Sequence, residues 1–79
     1  MKLPRDLSGN RLADHLIRRW SYTKVHQVGS HIILQTSEPA SHRIAIPAHG
    51  TLRIGTLNNI LRSVAAAKHV QREDILAGL

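Results

Sequence analysis

The chain has 79 residues, 42% of them apolar, with one Trp, one Tyr, no Phe and no Cys. That size supports one domain around a thin aliphatic core, and the lack of cysteine excludes a disulfide framework and a thiolate metal site. A formal net charge of +6 points to a polyanionic partner, either nucleic acid or an acidic protein surface.

The elements follow in chain order. In "LSGNRLADHLIRRW", Leu12, Leu16 and Trp20 recur at helical spacing with Ala13 and Ile17 beside them, which predicts an amphipathic helix. Ser8 stands where an N-cap belongs. Arg11, Arg18 and Arg19 fall off the apolar stripe as a basic face. Residues 1–24 carry six Lys/Arg against two Asp, so the positive charge is concentrated toward the N-terminal third. From Tyr22 to Val28, "YTKVHQV" loses the helical period and is rich in β-branched residues. "SHIILQT" from Ser30 to Thr36 continues in that style after Gly29, and the two runs predict a hairpin. "SEPAS" is a loop around Pro39. "HRIAIP" from His42 to Pro47 is a third strand ended by its proline.

"AHGTLRIG" is expected as a connecting loop, with Thr56 as N-cap of a second helix whose Leu57, Ile60, Leu61 and Val64 line one face. "QREDILAGL" predicts a short closing helix with Glu73 and Asp74 in its first turn, where carboxylates meet the positive helix end. The expected architecture is a single α+β domain over residues 1–79: helix, three-stranded antiparallel meander, helix and short extra C-terminal helix. Helices cover one sheet face and leave the other open. No apolar run approaches the about 18 residues of a membrane span, and no secretory leader pattern opens the chain, so a cytoplasmic location is expected.

Six histidines are dispersed along the chain. His26 and His31, or His42 and His49, lack further ligands at zinc-site spacing, so no metal is expected. His15 and His69 lie in helical stretches and are expected to face solvent. His31 differs by its setting in "VGSHIIL". Gly29 tolerates a left-handed backbone and opens N–H groups to an anion, and imidazole exchanges protons near neutral pH. RNA brings its own nucleophile, the 2′-hydroxyl, so cleavage needs only positioning, proton transfer and charge stabilisation. If Ile32 and Leu34 face the helices, alternation turns His31 to the open face. From the residues alone His31 is either a polar residue at a hairpin edge or a catalytic one. Paired carboxylates, a phosphate-binding P-loop and an aromatic base-stacking surface are all missing.

The opening "MKLPRDLSGNRLADHLIRRWSYTKVHQVGSHIIL", the later "IAIPAH" and "LRIGTLNNILRSVA" resemble the HicA toxins of type II toxin–antitoxin modules over nearly the whole chain. The shared marks are Gly29-Ser30-His31, Pro47-x-His49 and Gly55-Thr56-Leu57. The resemblance implies a double-stranded-RNA-binding-domain-like fold, α-β-β-β-α, and metal-independent mRNA endonuclease activity without a cofactor. It implies that His31 is the catalytic residue, that Gly29 sets its turn, and that a HicB-type antitoxin protein covers the active face. His49 and Thr56 match motif positions, for which a rim hydrogen bond and a helix cap are expected. "AAAKHVQRED" departs from the family pattern, lacking the glycine that often separates the last two helices.

On this reading His31 handles the proton while Gly29, Ser30, Lys24, Arg43 and Arg53 hold phosphates. A non-catalytic RNA-binding module of the same fold, recognising structured RNA by shape and 2′-OH contacts, is the alternative. A third possibility is a pure interaction protein whose basic side chains only dock an acidic partner.

Overall fold

Ser8 starts the first helix as expected: its hydroxyl accepts from the Arg11 backbone N–H at 3.1 Å, satisfying one donor that the first turn leaves free. The computed structural model describes residues 2–79. Its elements are α1 (Gly9–Arg19), β1 (Thr23–Val28), β2 (His31–Thr36), β3 (His42–Pro47), α2 (Ile54–Lys68) and α3 (Arg72–Leu76). The strands form one antiparallel sheet in the order β1-β2-β3. Both long helices pack over β3 from the same side, and α3 packs against α2. The result is a small α-β-β-β-α fold of the double-stranded-RNA-binding-domain type, with its helices on one sheet face.

The core lies between that face and the helices. Leu12 and Leu16 from α1, Ile32 and Leu34 from β2, Ile46 from β3, and Leu57, Leu61 and Val64 from α2 are all 4% exposed or less. Alternation along β2 explains the layering, since residues 32, 34 and 36 are buried while His31 is exposed. Among the described residues no buried side-chain nitrogen or oxygen lacks a partner, so the thin core has no unpaired polar side chain among them to offset.

A hydrogen-bonded chain closes the far end of the core. The buried Tyr22 hydroxyl lies 2.8 Å from His42 Nδ1, and His42 Nε2 lies 3.0 Å from Ser63 Oγ. The phenol has no other hydrogen-bond acceptor among the described residues, so it donates to Nδ1, and the Nε2–H then donates to the serine. Lys68 donates to Thr36 Oγ1 at 2.9 Å and to the Glu38 carbonyl at 2.6 Å, and its ammonium sits 4.9 Å from the Tyr22 ring centroid. These contacts tie the residue preceding β1, strands β2 and β3, the β2–β3 loop and α2 together.

The N-terminus of α1 is locked to the segment after β3. A Cβ built on Gly9 would stand 1.6 Å from the Pro47 carbonyl oxygen, so only glycine allows this approach. Asn10 donates to the Ala48 carbonyl, the Leu52 N–H donates to the Leu7 carbonyl, and Ser8 pairs with Thr51.

Two expectations are corrected. Thr56 does not cap α2: the helix begins at Ile54 after Arg53, which has extended backbone and no side-chain cap. The buried Leu52, anchored to Leu7, fixes the chain direction early enough for Gly55 to be helical. His15 does not face solvent: it is 7% exposed and donates from Nε2 to the Ile75 carbonyl at 2.7 Å. The closing helix folds back over α1, which short-range periodicity cannot reveal. In place of a separating glycine, His69 ends α2 in the left-handed region at φ 58°.

Candidate nucleic-acid interface

The first two strands meet in a two-residue loop, Gly29-Ser30, between the paired residues Val28 and His31. Gly29 has φ 58° and Ser30 is not left-handed, the arrangement of a hairpin turn that places glycine first. Gln27 donates to the Gly29 carbonyl at 3.1 Å, and the Ala48 N–H donates to the Ser30 carbonyl at 2.6 Å. The turn is thereby tied to the end of β3. His31 follows it directly as the first residue of the central strand.

Register decides which side chains share a face with His31. Directly opposed residues of an antiparallel pair project to the same side. His31 pairs with Val28 and Pro47, Ile33 with His26 and Ala45, and Gln35 with Thr23 and Arg43. These nine residues form the uncovered face in three rows. Arg43 donates from Nε and Nη2 to Gln35 Oε1 at 3.1 and 2.7 Å, which fixes the guanidinium along the sheet while its remaining N–H groups stay free. Arg43 lies four residues along the sheet from His31, on the order of 13 Å. None of the five acidic residues lies on a strand. The strands of this face carry Arg43 and no carboxylate, which suits a phosphate backbone.

Beyond Pro47 the face runs into a groove of about 230 Å³ lined by Pro47, His49, Thr51, Leu52, Arg53 and Thr56. Arg53 is exposed there, immediately before the uncapped first turn of α2. His49 is exposed and makes no side-chain hydrogen bond to any described residue, so the expected rim hydrogen bond is absent. The structure therefore brings together Gly29, Ser30 and His31, with Arg53 past Pro47 on one side and Arg43 at the opposite end.

Lys24 is not brought to this group. It pairs with Leu34, whose side chain is buried under the helices, and it donates to Gln27 Oε1 at 3.3 Å. Its register side is therefore the one opposite His31.

His26 is the residue that sequence reasoning missed. Simple alternation from Lys24, which is on the helix side, would place His26 with it. Alternation from the Val28–His31 pair puts His26 on the open face instead, and the register jumps only between Lys24 and His26, leaving Val25 without a partner. No residue pattern marks a bulge here. Among the described residues, no three His, Asp or Glu side chains are grouped to hold a metal ion, and no helix is long and apolar enough to cross a membrane. Compared with protein-family models, curated proteins and solved structures, the chain matches none.

Proposed function

We propose that the open sheet face is the working surface of a ribonuclease toxin of the HicA type, acting on mRNA in the cytoplasm and neutralised by a HicB-type antitoxin. The observation that carries this reading is the setting of His31. It is an exposed imidazole, positioned by a hydrogen-bonded glycine turn, on a cationic sheet face with no carboxylate on any strand. The chain segments that resemble HicA toxins are the same ones that build this setting.

The chemistry needs few groups. RNA lying across the face offers a 2′-hydroxyl beside the scissile phosphate. His31 accepts that proton as the oxygen attacks phosphorus. Arg43 and Arg53 attract and orient flanking phosphates, and the Gly29-Ser30 turn offers backbone N–H groups to a phosphate oxygen. Lys24, on the other side of the sheet, takes no part.

The test is induction in cells of the wild type and of His31→Ala, with transcript ends mapped. The wild type arrests growth and yields new ends. The variant stays folded, still binds its antitoxin, and does neither. Undiminished toxicity in His31→Ala removes the histidine from its role. One observation favours the non-catalytic RNA-binding reading: His31 has no hydrogen-bonding partner among the described residues to orient it. Salt-dependent RNA binding without cleavage products identifies that case.

A further inference from the structure

β1 is an edge strand exposed along its whole length, with a bulge at Val25. The pairing is unbroken from Val28 back to His26 and shifts only beyond it, so His26 and Val28, rather than Gln27, share the open side with His31. His26 pairs with Ile33 and His31 pairs with Val28, so the two histidines are diagonal neighbours, on the order of 7–8 Å apart along the backbone. Both are exposed. The surface between them is formed by Val28 and Ile33, which offer no competing polar group.

We infer that His26 is a second catalytic residue, the general acid that complements His31. This deepens the ribonuclease reading and rests on it. In-line displacement at phosphorus puts the attacking and leaving oxygens on opposite sides. Each must come within ~2.6–3.2 Å of its proton-transfer partner. Two imidazoles in contact could not serve both oxygens, whereas two separated by one diagonal of the sheet can. His31 takes the proton of the 2′-hydroxyl as the 2′-oxygen-to-phosphorus bond forms. The bond from phosphorus to the 5′-oxygen breaks, and that oxygen takes a proton from the His26 imidazolium. The products are a 2′,3′-cyclic phosphate and a 5′-hydroxyl. His31 ends protonated and His26 neutral, and exchange with water resets the pair.

Thr23, Gln35 and Arg43 form the far row of the same face, His49 and Arg53 approach past Pro47, and Lys24 and Gln27 lie on the helix side. No carboxylate from any strand pairs with either ring.

The diagnostic substrate is an oligoribonucleotide with a sulfur replacing the bridging 5′-oxygen at the mapped cleavage position. A thiolate leaves without protonation, so the sulfur removes the need for a general acid. On all-oxygen RNA, His26→Ala should be slower than wild type by about 100-fold or more. On the sulfur substrate it should come within a few fold of wild type. His31→Ala should be slow on both. The wild-type rate should show a bell-shaped pH profile, and His26→Ala should lose its alkaline limb. Circular dichroism checks that both variants, altered at exposed positions, keep the fold. Wild-type speed of His26→Ala on all-oxygen RNA overturns the inference and leaves the ribonuclease reading intact. Equal slowing on both substrates makes His26 a positioning residue and also overturns it. Failure of the wild type to cut either substrate removes the ribonuclease reading, and this inference with it.

Discussion

The two faces of the sheet use the same strands for opposite ends. On the helix side, Ile32, Leu34 and Ile46 are at most 4% exposed and contribute to stability by leaving water. On the open side, His26, Val28, His31, Arg43 and Ala45 are exposed, and their removal uncovers no core. In a chain this small every packing position matters, so an uncovered face that carries histidines and arginine is available for binding and chemistry. Substitution should therefore separate stability from function according to face.

The sharpest contrast is Leu34→Ala against His31→Ala, three residues apart on one strand. The first leaves a cavity under the helices and should cost about 2–5 kcal/mol, enough to consume most of the stability of a small domain. The second should change the unfolding free energy by no more than about 0.5 kcal/mol and act only on RNA cleavage. Equal losses in urea titrations would break the division between faces.

Gly9→Ala comes next. The new methyl would meet backbone at Pro47, and relief requires α1 to move from the segment carrying His49 and Arg53. A loss of about 1–3 kcal/mol is expected from such overpacking, read by thermal denaturation. An unchanged melting temperature would show that the α1 contact is not tight.

Tyr22→Phe removes the donor to His42 Nδ1 and leaves a ring nitrogen with no partner, for an expected loss of about 1–2 kcal/mol. The same network predicts pH dependence at both extremes. Burial pushes the Tyr22 hydroxyl from 10.0 up to about 12, so its contribution is complete below pH 10.0 and is lost as pH rises toward 12. His42 is lowered from 6.5 by burial and then by the Lys68 charge. Its contribution is complete above that value and is lost as pH falls through the depressed one. Stability measured against pH should decline on both sides, and Tyr22→Phe should abolish the alkaline decline.

The smallest effect belongs to Arg43→Gln, which removes one cation from the open face. Stability should stay within about 0.5 kcal/mol. RNA affinity should fall, with the slope of its logarithm against log salt reduced by roughly one. An unchanged slope would exclude Arg43 from phosphate contact, and the same measurement on Lys24→Gln should show no such change at the His31 site.

Much of this arrangement is legible in the residues. Ser8, the 12–16 stripe, the β-branched runs around Gly29 and the Leu57–Val64 face each carry a local signal, and local signals specify the order of elements. Alternation along Ile32, Leu34 and Thr36 was enough to turn His31 outward. What stayed hidden depends on contacts distant in sequence. The burial of His15 needs Ile75, the start of α2 needs the bond between Leu52 and Leu7, and the placement of Lys24 on the helix side needs a bulge that no residue type announces. Gly9 looks like a helix-weakening residue until Pro47 is found against it.

The central claim is that a phosphodiester bound across the open face is cut with His31 as its proton acceptor. The most direct measurement is the rate at which purified wild type and His31→Ala, matched for fold by circular dichroism, cut an end-labelled RNA. The expected result is a loss of about 100-fold or more in the variant, with RNA binding retained. Cleavage by His31→Ala at the wild-type rate would contradict it.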